Sequence, residues 1–287
     1  MSRLAVTMSL GLAFIIGSLA TMAQAQTQIS LWEKGAPGFE ARRDMAEQAK
    51  DYWVKSVNNP SLTLFAPDQS KNSGTAIIIV PGGGHALLVW PPEGLAPAKY
   101  LQSLGITAFA LKYRLAREAG SPYSIEKDAA LDLRRAIRYV RAHASQYGIK
   151  HIGIMGFSAG GELVSMVSFD DGLGDPKALD PIDRESSHPD FSIFIYPGPL
   201  GIPEKLSSAP PPVFMLNAYD DKMAVTDTDR LMALYEAWPK VPLERHILSG
   251  GAHGFNMGER SQLKAVKDWP HRLNDWLLDM DFIRAVP

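Results

Sequence analysis

The sequence predicts an α/β fold, with a mostly parallel central sheet flanked by helices on both faces, and three observations carry that expectation. Short apolar runs alternate with helical stretches of ten or more residues, the pattern of successive βαβ units. The runs are continuously apolar rather than alternating, as suits strands buried on both faces of a parallel sheet. A G-x-S-x-G pentapeptide, Gly156-Phe157-Ser158-Ala159-Gly160, lies where one such run gives way to a helical stretch.

In chain order, the first residues stand apart from the rest. Arg3 gives a positive start, "LAVTMSLGLAFIIGSLA" an apolar core, and Ala23-Gln24-Ala25 a small-residue cleavage site. This predicts a signal peptide over residues 1–25 and a secreted or periplasmic mature chain. A membrane anchor is the alternative, but the run is short for a spanning helix and lacks charged stop-transfer flanks. Residues 26–60 are turn-rich and are expected to wrap over the main body or add an edge strand. Strands are expected over 61–67, 75–84, 106–115, 151–157, 191–198, 212–219 and 243–250, and helices over 93–105, 124–148, 159–169, 225–239 and 262–280.

In the longest helical stretch Ala129, Leu133, Ala136, Ile137, Val140 and Ala144 form an apolar stripe, with Lys127, Arg134, Arg138 and Arg141 off it. That stretch is expected to lay one face on the sheet. The long irregular insertion from Asp170 to Asp190 is rich in turn formers and acids and is expected to roof a pocket. Its acids do not have the spacing of an EF-hand loop. Without a repeat, a low-complexity tract or a dividing linker, residues 26–287 are expected to form one domain.

Composition excludes several classes of function. A chain of 287 residues that is 46% hydrophobic buries a large core. A formal net charge of −2 without long runs of one sign offers no electrostatic footprint for nucleic acid. The sequence contains no cysteine, which excludes disulfides, thiol nucleophiles and cysteine metal sites. The triple glycine after the second predicted strand lacks the G-K-[ST] of a phosphate loop, and no G-x-G-x-x-G is present. No metal or cofactor is expected.

The pentapeptide reads as a nucleophile elbow with Ser158 at its apex, its small residues allowing strand and helix backbones to approach. A serine hydroxyl needs a base, usually histidine, held by a carboxylate, and in this architecture the order along the chain is Ser, acid, His. Of the downstream histidines, His271 lies in an amphipathic helix, His246 within a strand, and His188 in the acidic insertion. His253, in the glycine-rich "SGGAHGF" after the last strand, is the expected base. The acid should leave the C-terminal end of the penultimate strand, which leaves Asp220 or Asp221; Asp227 and Asp229 read as first-turn helix acids. Oxyanion donors are expected from the Ala159 N–H and from Gly83 and Gly84 in "PGGGH".

Together these segments resemble the α/β-hydrolase superfamily, and within it the secreted bacterial esterases of the acetyl-xylan and feruloyl esterase-like (BD-FAE-type) group. The resemblance spans roughly residues 75–280 and rests on "IIIVPGGGH", "PPEG", "LKYRL", "IGIMGFSAGGELVS", "HPDFSIFIYPG", "AYDDKMAV" and "GGAHGF", in the family's order. It implies an α/β-hydrolase fold without a separate lid domain, and matches Ser158 to the nucleophile, His253 to the base, Asp221 to the acid, and Gly83, Gly84 and Ala159 to the oxyanion donors. His85 stands where the family usually carries an aromatic residue, and Lys222-Met223 replaces a proline-containing turn, so both are expected to line or adjoin the substrate pocket. Trp90 is positioned to stack on a sugar ring or simply to cover a loop.

The resemblance implies a carboxylic ester hydrolase acting on short acyl esters of carbohydrate, with a small-molecule or polysaccharide substrate and no nucleic acid or membrane partner. A generalist carboxylesterase, a serine peptidase and a non-catalytic binding module on the same fold are the alternatives.

Overall fold

The sequence builds its strands from β-branched and aromatic runs and its helices from striped ones. In the computed structural model, which describes residues 27–284, these become eleven strands and six α-helices. The expected signal peptide lies outside the described residues. In chain order the elements are β1 (Thr27–Ser30), β2 (Gln48–Lys50), β3 (Trp53–Lys55), β4 (Ser61–Phe65), β5 (Thr75–Val80), β6 (Leu88–Val89), α1 (Ala96–Ser103), β7 (Thr107–Lys112), α2 (Ala130–Ala142), α3 (Ala144–Tyr147), β8 (His151–Phe157), α4 (Ala159–Ser168), β9 (Phe191–Ile195), β10 (Val213–Ala218), α5 (Lys222–Glu236), β11 (Leu243–Leu248) and α6 (Lys264–Asp279).

Eight strands form one sheet in the order β1-β4-β7-β5-β8-β9-β10-β11. From β7 to β11 every neighbour is parallel, while β4 pairs antiparallel with both β7 and β1 at one edge. The interior strands β5, β9 and β10 are buried along their whole length, which explains their uninterrupted apolar sequences. The edge strand β11 is only partly covered, so "LERHIL" carries charge where the interior strands do not.

Helices cover both faces of this sheet. On one face α1 and α6 are joined by the Tyr100 hydroxyl, which donates to the Pro270 carbonyl at 2.7 Å, and Trp276 of α6 packs on Phe191 and Phe214. On the other, α2 packs on α4, and Phe169 just after α4 meets Tyr235 of α5. As expected, part of the 26–60 segment supplies an edge strand, β1. A small antiparallel sheet, β2-β3-β6, was not legible because its strands are two or three residues long.

Three other expectations change. The stretch 124–148 is not one helix: it opens with a π turn at Ile125–Ala129 and breaks at His143, which leaves helical geometry at φ −106° and whose ring nitrogen and backbone N–H share the Tyr139 carbonyl. Helix α5 starts at Lys222 rather than 225, because the Asp221 carboxylate caps it by accepting the Ala224 N–H at 3.2 Å. Asp227 and Asp229 therefore sit beyond the first turn; Asp229 pairs instead with Arg245 at 2.6 Å.

The insertion 170–190 borders a pocket, since Asp180, Pro181 and Ile182 line a cavity beside α2, but it is not on the wall of the cavity that holds Ser158. It is fastened along α2 by a row of arginines: Arg134 to Asp170, Arg135 to Asp180 and Asp183, Arg138 to the Glu185 carbonyl, and Arg141 to the carbonyls of Ser186 and His188. The charged face of this helix is thus bound to chain rather than to water.

Candidate active site

Parallel strands deliver side chains to the carboxyl edge of the sheet, and three of the predicted site residues meet there. Ser158 follows β8 directly, with φ 49° and ψ −119°, a strained conformation for a non-glycine residue that turns the chain sharply into α4. The turn closes because residue 160 has no side chain: a Cβ there would lie 2.0 Å from the Val80 carbonyl oxygen at the end of β5. Asp221 ends the turn after β10, and His253 lies in the loop after β11.

The Ser158 Oγ is 2.7 Å from His253 Nε2, and His253 Nδ1 is 2.6 Å from Asp221 Oδ2. Asp221 is buried, and its other oxygen caps α5, so its orientation is set by the helix it begins. The neighbouring acid does a different task. Asp220 turns its carboxylate to the backbone of the histidine loop, accepting from Ala252 N–H at 2.9 Å and Gly251 N–H at 3.2 Å. Those two N–H bonds hold the Asp220 carboxyl below the usual range. Asp220 thus shapes the loop, while Asp221 contacts the imidazole.

The "PGGGH" segment is fixed from several sides. The Tyr113 hydroxyl donates to the Pro81 carbonyl at 2.8 Å, Val89 N–H donates to the Gly82 carbonyl at 3.0 Å, and Gly82 N–H donates to Glu93 Oε2 at 2.7 Å. Gly83 takes φ 125°, open to glycine alone, and a Cβ there would strike the Leu87 carbonyl. Among the described residues the N–H groups of Gly83, Gly84 and Ala159 donate to no protein acceptor. Gly83, Gly84, Ser158 and His253 border one open cavity of about 340 Å³, with Tyr52, Pro92, Glu93, Asn256 and Arg260 also on its wall. A larger cavity of about 810 Å³, between β1, the Glu33–Glu40 segment and α2, holds none of the three.

A model of the BD-FAE family matches residues 62–191, which include the glycine loop and Ser158. The chain has an α/β-hydrolase fold, and the BD-FAE match falls within it. An acetylxylan esterase of Xylanibacter ruminicola is 32% identical over 156 residues, 53% of this chain and 28% of that protein. Endo-1,4-beta-xylanase B of Butyrivibrio fibrisolvens is 26% identical over 212 residues, 63% of this chain and 32% of that one. The chain therefore spans less than a third of the length of these two curated relatives. Among solved structures, an acetyl ester-xyloside bifunctional hydrolase of Caldicellulosiruptor lactoaceticus superposes with a TM-score of 0.71 at 28% identity, over 90% of this chain and 97% of that one.

Four residues expected at the pocket lie off its wall in this α/β-hydrolase fold. His85 is fully buried behind the glycine loop, its Nε2 2.6 Å from Glu162 Oε2 in the first turn of α4. It ties the loop to the helix and is not on the cavity wall. Trp90 is also buried, with the Lys112 ammonium 5.2 Å from its ring centroid, so it covers a loop and offers no face to a sugar. Met223 is exposed and Lys222 lies over the Tyr219 ring, outside the cavity wall.

Sequence reasoning passed over a buried polar group beside the site. Glu93 lies inside a π turn at Pro91–Leu95, where the Ala96 N–H reaches back to the Pro91 carbonyl. Its Oε1 accepts from the Tyr196 hydroxyl at 2.9 Å, and the Tyr196 oxygen accepts the Asn256 N–H at 3.1 Å. With its amide oriented to satisfy its neighbours, Asn256 also donates to Glu93 Oε1 at 2.8 Å and accepts from Arg260 at 3.2 Å. The signal was present in "PPEG", a carboxylate next to two prolines in an otherwise apolar neighbourhood. Among the described residues no cluster of three or more histidines and acids is arranged to hold a metal, and no helix is long and apolar enough to cross a membrane.

Proposed function

We propose that the chain is a serine esterase that removes short acyl groups, acetyl in type, from carbohydrate through a Ser158-His253-Asp221 triad. The observation that carries this reading is the unbroken line of contacts from the serine oxygen through both imidazole nitrogens to a buried carboxylate. Ser158 attacks the ester carbonyl as His253 Nε2 takes its proton. Asp221 holds the imidazole in the tautomer that presents Nε2 as a base, and balances the imidazolium once formed. The N–H groups of Gly83, Gly84 and Ala159 meet the negative oxygen of the tetrahedral intermediate. His253 returns the proton to the departing alcohol, and water then takes the same route through the acyl-enzyme. All of these groups belong to the chain itself.

The substrate class is supported by the activities for which two similar proteins are named, an acetylxylan esterase and an acetyl ester-xyloside hydrolase. The open cavity suits a short acyl group on a bulky alcohol. This reading also takes residues 26–287 as one catalytic domain and residues 1–25 as an export signal.

The test is hydrolysis of p-nitrophenyl acetate by the protein and its variants. Ser158→Ala is expected to reduce kcat by about 10⁴-fold or more. Asp221→Asn should cost on the order of 10³ to 10⁴, and Asp220→Asn much less, since it loosens a loop without freeing the imidazole. Activity that survives Ser158→Ala, or a greater loss from Asp220→Asn, overturns the assignment. Acetate released from acetylated xylan faster than from simple aryl esters would fix the carbohydrate; the reverse order would mark a generalist carboxylesterase.

A further inference from the structure

The proposed mechanism leaves one group at the site without a task. The Glu93 carboxyl is buried, borders the same cavity as Ser158 and His253, and pairs with no cation among the described residues. Its two oxygens instead face donors from separate parts of the chain: the Gly82 N–H at 2.7 Å, the Tyr196 hydroxyl at 2.9 Å and the Asn256 amide at 2.8 Å. Gly82 opens the glycine loop that follows β5. Tyr196 follows β9 and Asn256 lies three residues beyond His253. The carboxylate is therefore a junction between the loop that supplies the expected oxyanion donors and the loop that carries the expected base.

We infer that Glu93 is a positioning residue that, with Tyr196, locks the glycine loop and the His253 loop in register on either side of Ser158. On the glycine-loop side, Glu93 takes the Gly82 N–H while Val89 satisfies the Gly82 carbonyl, which fixes that peptide plane and so the direction of the Gly83 N–H next to it. On the histidine side, the Tyr196 oxygen takes the Asn256 N–H, and its ring packs edge-on against both His253, centroids 5.0 Å apart, and Phe255, 4.6 Å apart. Tyr196 itself sits at φ 38°, in the turn that touches Ser158: Ser158 N–H donates to the Ile195 carbonyl at 3.0 Å and Gly198 N–H to the Ser158 carbonyl at 3.3 Å. Strained backbone of this kind persists only where surrounding contacts over-determine it, and the Glu93 hydrogen bonds do so here.

The junction also has an electrical consequence. The titratable groups facing Glu93 are His253 from the loop after β11, Tyr196 after β9 and Tyr113 after β7. Once ionised, the Glu93 carboxylate favours the His253 imidazolium that forms as Ser158 attacks. The loss of that charge therefore has a readout that the loss of a packing group lacks.

This inference rests on the serine-esterase reading, so its experiment has two arms. The first follows p-nitrophenyl acetate hydrolysis from pH 5 to 9 for the protein, Glu93→Gln and Tyr196→Phe. The second follows the rate at which a fluorophosphonate labels Ser158, which requires an activated serine and oxyanion donors but no particular ester.

Glutamine keeps the shape of Glu93 while turning an N–H toward one of its donors. Glu93→Gln is expected to lower kcat about 10- to 100-fold with KM within about threefold and to slow labelling in parallel, with the loss largest above about pH 7, where the wild-type carboxyl is ionised. Tyr196→Phe should lower kcat by a similar factor, and the double variant should lose little more than either single one. Circular dichroism below the unfolding transition confirms that folded protein is compared in each case. A Glu93→Gln enzyme that labels at the wild-type rate, or whose loss is confined to KM, overturns the inference and leaves the esterase reading intact. A wild-type protein that neither hydrolyses esters nor labels at Ser158 overturns both.

Discussion

Keeping the Glu93 carboxyl ionised has a cost that shows in the pH dependence of stability. Burial raises its pKa from 4.5 to about 7, against the opposing pull of the Gly82 N–H, the Tyr196 hydroxyl and His253. The folded protein therefore holds this proton more tightly than the unfolded chain does. The resulting stability is fully present below about pH 4.5 and is lost as pH rises through 7. It amounts to about 3 kcal/mol, since each tenfold gain in proton affinity is worth about 1.4 kcal/mol. Between pH 5 and pH 8 the wild-type protein should lose about 2 to 3 kcal/mol more stability than Glu93→Gln, measured by urea denaturation at each pH. Equal slopes for the two proteins would remove the cost attributed to this carboxylate. At the same scale, local pattern picked out Ser158 and His253, which the fold brings within 2.7 Å of each other. Pattern alone left two adjacent aspartates open, and only the family resemblance chose Asp221. Asp220 and Asp221 differ only in which way the chain turns after β10, and one takes two loop N–H groups while the other takes the imidazole. His85 misled for a related reason, since proximity to the glycine loop in sequence does not say on which side of the loop a side chain lies, whereas Trp90 took the loop-covering alternative.

The elements most legible in sequence were the buried strands, because β5, β8, β9 and β10 are apolar on both faces and the first three end at turns rich in glycine or proline. Helix limits were less so, since they depend on contacts made across the fold: Asp221 starts α5 early, and His143 cuts the long helix short. The charged face of α2 is the clearest case. Read alone it is a solvated stripe, yet its arginines hold the 170–190 insertion. Arg135 is the centre of this clasp, with Nη1 2.8 Å from Asp183, Nη2 2.5 Å from Asp180 and Nε donating to the Leu31 carbonyl at 3.0 Å. The two acids are half-exposed, so Arg135→Ala leaves no buried unpaired charge and should cost about 1 to 3 kcal/mol. Because the insertion is fastened away from the cavity wall, kcat and KM for p-nitrophenyl acetate should stay within about twofold of wild type at a temperature where both are folded. A large change in KM with little loss of stability would return the insertion to a place over the substrate.

Across the whole molecule, the sheet sets the positions of the site residues, and a fully buried charge helps to join to it the N-terminal segment that wraps it. Sequence indicated the wrap but not its fastening, because Arg114 in "LKYRL" looks like an ordinary strand-end cation. In the structure Arg114 is fully buried, and it pairs with Asp132 of α2 through Nε at 3.1 Å and Nη2 at 2.7 Å, while its backbone N–H donates to the same carboxylate at 2.8 Å. Its guanidinium also lies 5.6 Å from the Trp32 ring centroid, 5.7 Å from Phe39 and 5.5 Å from Tyr123, so one side chain gathers the sheet, α2 and the wrapping segment. Removing one partner of such a pair strands a buried charge, which costs more than the pair contributes when intact. Arg114→Met should therefore lose about 3 to 5 kcal/mol, with limited proteolysis cutting first within residues 32–60. Adding Asp132→Asn removes the fully buried stranded charge and keeps an acceptor for the Arg114-position N–H, while Asp128, the Nη1 partner at 2.9 Å, stays behind partly exposed, so the double variant should regain part of that loss. A double variant no more stable than Arg114→Met, measured by urea denaturation, would mean that the aromatic contacts, and not the ion pair, fasten the wrap.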